Sequence, residues 1–300
     1  LWVREKLKVN PLLVCLTYPP EQVTDRGAEN LSNLIDLGFD VVIHSLGART
    51  WKKIMRDGFF SKTNWARGTE QAIVSSVPRL ALRYKIPLIL WGENPGLQLG
   101  DMSTVGETGY DGNNLKYMNT VSGGTLDWLS EKDYNFSNIK PYEYPLAEEF
   151  EQTNIQIVYL GWFWNDWSLV RNGMYSSSYG LSIRDNTVKE TGDITKVSSL
   201  DEDWVTLNQM IKYYKYGFGR VSDHINESIR NEGITREEGI KIVEKYDGSC
   251  SEKYINDFCD YIDITIDEFW SQVRKDVNKE LFEIKNNGKI IPKFKVGFGK

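Results

Sequence analysis

Several scarcities narrow the reading of this 300-residue chain before any motif is sought. It has two histidines, His44 and His224, and three cysteines, Cys15, Cys250 and Cys259, with no CxxC pair. These cannot make a convincing zinc site. An odd cysteine count also fits a reducing, cytoplasmic setting better than a secreted disulfide scaffold. No apolar run approaches the roughly 18 residues of a membrane-spanning helix, and no signal-peptide pattern appears. Basic excess is missing too. With 36 Lys and Arg against 42 Asp and Glu, the net charge is −6, which argues against a general nucleic-acid binder. HExxH, an intact GxGxxG and a nucleophile elbow are absent. Aromatics, by contrast, are plentiful. Ten Trp and 16 Tyr serve cores and interfaces, or stack on sugars and bases.

The first third alternates. Pro11–Tyr18, Phe39–Leu46 and Ile86–Trp91 read as buried strands, the last a nearly unbroken apolar run. Helices are expected over Asp25–Leu37, closed by Gly38, over Ala48–Asp57, and over Glu70–Tyr84 with a kink or restart at Pro78. This βα alternation predicts an α/β fold with a parallel sheet. Right-handed crossovers would leave the three carboxyl ends on one rim, at Thr17-Tyr18, His44-Ser45 and Gly92-Glu93-Asn94. Residues 95–150 are long, polar and glycine-rich, and Asn154–Phe163 is a further strand candidate. A polar loop is expected over 172–202. Helices follow from Asp203, two of them opened by capping boxes at Thr235–Glu238 and Thr265–Glu268. Phe269, Val273, Val277 and Leu281 give the last helix one apolar face, and the tail from Lys289 docks as a strand or dangles. The expected division is an α/β domain over 1–165 and a mainly helical region over 166–300.

Glu93, at the mouth of a buried strand, reads either as a solvated strand-end acid or as a carboxylate that orients an amine, a hydroxyl or a metal. Asp111, Asn113 and Asn114 form a polar turn or a sugar-binding loop. Asp223-His224 is helix-start chemistry or a polar pair turned to substrate. His44 reads as a rim histidine. Ser122-Gly123-Gly124 reads as an ordinary turn, because no apolar strand precedes it and no lysine follows.

Two long runs carry a resemblance. They are Ile86-Pro-Leu-Ile-Leu-Trp-Gly-Glu-Asn-Pro95 and Lys215-Tyr-Gly-Phe-Gly-Arg-Val-Ser-Asp-His-Ile-Asn-Glu-Ser-Ile-Arg230, the second followed by Ile234-Thr-Arg-Glu-Glu-Gly and Lys245-Tyr-Asp-Gly. Over nearly its whole length the chain resembles the N-acetyl sugar amidotransferases of bacterial surface-polysaccharide and nonulosonic-acid (flagellin sugar) synthesis. These are PP-loop ATP pyrophosphatases with an adenine-nucleotide α-hydrolase-like parallel sheet. The resemblance implies ATP with Mg2+, an N-acetylated or nucleotide-linked sugar, and a glutaminase subunit that supplies ammonia. The implied reaction adenylates the acetamido oxygen and displaces AMP with ammonia, leaving an acetamidino group. By the same resemblance, Glu93, Asp223 and His224 are catalytic, and Trp91, Gly92 and Asn94 lie with Glu93 at the reacting centre. Thr17, Tyr18 and Ser45 lie near the adenosine, and Asp111 and Asn113 near the sugar.

The family pattern also has a cysteine-rich, zinc-ribbon-like segment and a Ser-Gly-Gly-Lys-Asp-Ser loop that this sequence does not contain. The chain opens at Leu1 without a helix start, so it is expected to be a fragment, inactive or nearly so alone, with the first strand and phosphate loop upstream. Two other readings compete. One is a different PP-loop enzyme, such as a tRNA-modifying ATP pyrophosphatase, which the acidic balance disfavours. The other is a non-catalytic sugar-binding subunit.

Overall fold

The computed structural model describes residues 1–99, 102–118, 121, 123–130, 133–164 and 167–298. The chain divides into two compact units. The first comprises Leu1–Ile54 and Arg67–Trp167, the second Met55–Ala66 and Ser168–Lys300.

In the first unit, strand β1 (Leu13–Thr17) leads to helix α1 (Asp25–Asp36). The Thr24 hydroxyl opens α1 by accepting from the Gly27 amide at 3.0 Å. Gly38, at φ +79°, closes it in the left-handed conformation that glycine adopts without a Cβ penalty. Strand β2 (Val41–Ser45) then pairs parallel with β1, Leu13 opposite Val41 and Thr17 opposite Ser45. Helix α2 runs from Ala48 to Lys62, longer than expected, and contributes residues to both units. Helix α3 (Ala66–Tyr84) passes through Pro78 without a break. The expected restart at that proline is therefore not found. Strand β3 (Leu88–Trp91) pairs parallel with β4 (Gln156–Tyr159), Trp91 opposite Tyr159.

Two expectations are corrected here. The three early strands do not share one sheet. Among the described residues, β1–β2 and β3–β4 are separate two-stranded parallel sheets, so the fold is mixed α/β without the continuous sheet that one common rim requires. Apolarity marks a strand but neither buries it nor chooses its neighbour. No residue of β1 or β2 is fully buried, Ile43 and Leu88 are exposed, and only alternate residues of β3 and β4 enter the core, which corrects the expectation of strands buried on both faces. The run Asn154–Phe163 is also only partly strand, because Leu160–Phe163 turns into a short helix. The core of β3–β4 is built on Ile89, Trp91, Ile157 and Tyr159, with Val74 and Ala81 of α3 packed onto them.

The second unit is helical: α4 (Leu169–Ser177), α5 (Val205–Tyr216), α6 (Arg220–Arg230), α7 (Arg236–Tyr246), α8 (Glu252–Tyr261) and α9 (Ile266–Asp276). The loop expected over 172–202 thus contains most of α4. Helix α9 ends at Asp276, short of Leu281, and Phe282–Ile284 (β5) pairs antiparallel with Ile290–Pro292 (β6). The tail docks as a strand. Phe59 and Trp65 explain why residues 55–66 belong to this unit. Phe59 stacks on Phe269 with ring centroids 5.3 Å apart, and Trp65 meets Phe258 at 6.1 Å. All four rings are buried, and aromatic burial of this kind dominates core energetics.

Both capping boxes form. At α9 the Thr265 hydroxyl accepts from the Glu268 amide at 3.2 Å, and the Glu268 carboxylate accepts from the Thr265 amide at 2.8 Å. Thr265→Ala removes the side-chain half of that exchange. It should destabilise the unit by about 1 kcal/mol, read as a lower urea midpoint at unchanged slope.

Candidate functional site

The carboxyl end of β3 is built by a strand-to-helix turn. Trp91 belongs to the core and is buried. At Gly92 the chain emerges, and an added Cβ there would meet nothing within 4 Å. Glu93 is exposed beside that open space, whereas Asn94 is completely buried. The Asn94 side-chain oxygen accepts from the Leu97 amide at 2.9 Å and so starts the short helix Pro95–Leu99. Pro95 suits the first helical position. With its oxygen so committed, Asn94 leaves its buried Nδ2 with no hydrogen-bond partner.

Helix α3 adds a residue that sequence reasoning missed. Ile73, Val74, Val77 and Ala81 form its sheet-facing stripe. Glu70 falls on the same stripe one turn earlier, at i−4 from Val74, and is half-buried. Burial, and secondarily the charge of Glu93, push the Glu70 carboxyl up to about 7. The end of β3 therefore carries two interacting carboxyl groups that cannot both ionise freely near neutrality. Such a pair can hold a proton, orient a donor or supply oxygens to a hard cation. The i−4 spacing from an apolar stripe was visible in the sequence. That the stripe faces β3 was not.

The other predicted residues of this unit divide by role. Thr17 and Ser45 are brought side by side as register partners at the ends of β1 and β2. Tyr18 is buried with its ring edge-on to Trp51 at 5.8 Å. His44 precedes Ser45 with Nε2 buried and unpartnered, and burial lowers its pKa. Asp111 and Asn113 serve the backbone. Asn113 Oδ1 accepts from the Ile157 amide at 3.0 Å, Asp111 Oδ1 accepts from the Asn113 amide at 2.9 Å, and Asp111 bridges to Val158. They line the edge of β4. Of Ser122-Gly123-Gly124, the serine lies outside the described residues, and both glycines sit in turns at positive φ.

Asp223 and His224 belong to the second unit, on α6, and so do not share a unit with Glu93. Asp223 pairs with Lys212 at 2.6 Å. Burial raises its carboxyl and Lys212 opposes the rise. His224 is buried, and its Nδ1 lies 3.6 Å from Asp193 Oδ1. Burial and the neighbouring Arg220 push the imidazole down to about 4, against the attraction of Asp193. His224 is therefore neutral at physiological pH.

Around this pair lie further buried charges that sequence reasoning missed: Arg184, Asp193, Glu202 and Arg220. Arg220 donates from Nη2 to the Ser199 hydroxyl at 3.1 Å and keeps Nη1 unpartnered. Burial works to raise the Asp193 carboxyl, yet His224, hydrogen bonds from Thr195, and Arg220 together hold it below its ordinary value. Burial, reinforced by Asp201, pushes Glu202 up to about 8. No fixed spacing announces this cluster, because Arg184, Asp193 and Glu202 come from loop segments ahead of α6 and meet Arg220 and His224 only in the fold.

Among the described residues no group of three or more His, Cys, Asp or Glu side chains is placed to hold a metal, and no helix is long and apolar enough to cross a membrane. Comparison with curated proteins returns no match. Residues 191–295 match the family described as LPS biosynthesis protein WbpG-like, C-terminal domain. That span includes Asp193, Arg220, Asp223 and His224. It supports a role in lipopolysaccharide biosynthesis, with a sugar-related substrate, for the region that carries the buried charged cluster.

Proposed function

We propose that the chain is an ATP-dependent amidotransferase of lipopolysaccharide biosynthesis that converts an acetamido group of a nucleotide-linked sugar to an acetamidino group. The observation that carries the pathway is the match of residues 191–295 to the WbpG-like domain. The chemistry rests on the resemblance of the Trp91-Gly-Glu-Asn94 run, together with the carboxyl pair at the end of β3.

ATP would supply the adenylyl group that makes the amide oxygen a leaving group. Mg2+ would arrive on the triphosphate of ATP, whose oxygens and waters supply most of its ligands. Thr17 and Ser45, register partners at the ends of β1 and β2, would offer their hydroxyls to the polar edge of an adenosine. The chain's own residues then act on protons. Ionised Glu93, beside the open space at Gly92, accepts an N–H of the attacking ammonia and takes the proton lost as the new C–N bond forms. Glu70, raised by burial to about 7, is partly protonated near neutrality and leaves Glu93 the more fully charged of the two. Free ammonia is scarce near neutral pH, which calls for a glutaminase partner.

The test is pyrophosphate release by the chain, expressed with whatever residues its gene encodes ahead of Leu1, given ATP, ammonia and a UDP- or CMP-linked acetamido sugar. Pyrophosphate that appears only with the sugar, and a product mass showing exchange of O for NH, is the expected result. Stimulation by tRNA instead would favour a tRNA-modifying enzyme, and sugar binding without ATP cleavage a binding subunit.

A further inference from the structure

Asp193 is fully buried, and its carboxylate is held from several sides. Oδ1 accepts from the Thr195 hydroxyl at 2.7 Å, the Thr195 amide at 2.8 Å and the Lys196 amide at 3.1 Å. Oδ2 accepts from the Ser198 amide at 3.4 Å and lies 3.8 Å from Arg184 Nε. The loop that makes these bonds places Lys196 and Ser199 at φ +63° and +48°. Such conformations cost a non-glycine residue free energy and persist where the surroundings over-determine them. The carboxylate is therefore fixed in place.

The His224 ring turns Nδ1 toward this carboxylate. The atom is buried, has no hydrogen-bond partner, and lies 3.6 Å from Asp193 Oδ1. The side chain keeps 9% of its exposure, none of it at Nδ1. A lone pair on Nδ1 would oppose the carboxylate, whereas a proton there is attracted to it. Arg220 and Lys212, the cations that act on the ring, resist a second proton.

We propose that Asp193 is a positioning residue that holds His224 as its Nδ1–H tautomer, so that Nε2 presents a lone pair to an N–H or O–H donor of a sugar substrate. A sugar hydroxyl is a donor of this kind. The proposal rests on the sugar-biosynthesis reading of this unit and uses none of the ATP chemistry.

With two histidines in the chain, the test is direct. The full chain is labelled with 15N-histidine, long-range 1H–15N correlations are recorded, and His44→Gln assigns the remaining ring. Between about pH 6 and about pH 8, His224 is expected to stay neutral with its proton on Nδ1. UDP-N-acetylhexosamine is expected to move the Nε2 resonance. Asp193→Asn should lose the tautomer preference and weaken the sugar response, while Asp193→Glu should restore part of it. A wild-type ring protonated on Nε2 overturns the proposal, and that spectrum decides the matter even if Asp193→Asn fails to fold. An unchanged tautomer in a folded Asp193→Asn overturns it as well, as does an Nε2 resonance indifferent to the sugar. Because ATP and ammonia are absent from the experiment, failure of the amidotransferase chemistry would be seen in the pyrophosphate assay and not here.

Discussion

Glu93→Gln is expected to lower turnover by about 10²–10⁴-fold, the range for loss of a group that moves a proton in the transition state. The substitution keeps the volume and removes the charge, at an exposed position where it should cost the fold little. It also acts on its neighbour. The Glu93 charge is one of the two causes that raise the Glu70 carboxyl, so Glu93→Gln should bring Glu70 part of the way back from about 7 towards its ordinary value. In wild type the pH–rate profile should bend near neutrality with apparent constants that belong to the pair. In Glu93→Gln that bend should move to lower pH along with the loss of rate. Retained turnover with an unmoved profile would remove the β3 carboxyl pair from the mechanism.

The same pair predicts a stability effect of opposite sign. The folded-state value of Glu70, about 7, lies above its ordinary 4.5, so folding favours the protonated form. Its contribution is fully present below about 4.5 and is lost as pH rises through about 7. At about 1.4 kcal/mol per pH unit the gap amounts to about 3 kcal/mol, less what solvent recovers at a half-buried carboxyl. Glu70→Gln should therefore be more stable than wild type at pH 8 by up to that amount, close to wild type at pH 4, and slower as an enzyme. Denaturant titrations at the two pH values, set beside the turnover, separate a functional carboxyl from a merely tolerated one.

Local rules were readable in the sequence and partners were not. The two capping boxes, the Gly38 stop and the strand Leu88–Trp91 were legible because each depends on residues within one or two turns. Helix α3 does not restart at Pro78, and Val74 and Ala81 on either side of the proline pack into the same core. Which strand lies beside which was invisible, since apolar content does not distinguish one strand's partner from another's. The grouping of Met55–Ala66 with the helical unit was equally invisible, because it depends on Phe59 and Trp65 meeting Phe269 and Phe258 far along the chain. The candidate site followed the same division. Glu93 and His224 stood inside recognisable runs, whereas Glu70 and Asp193 acquire meaning only from what they face.

Arg184→Ala is expected to cost the helical unit about 3–5 kcal/mol, the usual penalty for removing one partner of a buried ionic group. Arg184 has no exposure and precedes the span matched by the WbpG-like domain. Its guanidinium donates to Asp203 and, at 2.6 Å, to the Ser199 carbonyl, and its Nε faces Asp193 at 3.8 Å. Removing it leaves Asp193 buried beside one fewer cation, and it leaves the Ser199 carbonyl, in a loop already held at positive φ, without this donor. Lysine should restore little, because a single ammonium cannot reproduce a planar fork that serves carboxylates and carbonyls at once. Chemical denaturation of Arg184→Ala and Arg184→Lys gives the measurement. Losses near 1 kcal/mol for both would mean that solvent already reaches the cluster. A large loss for alanine, with lysine close behind it, would mean that the geometry of the guanidinium fixes the Asp193 loop and, through that loop, the carboxylate facing His224.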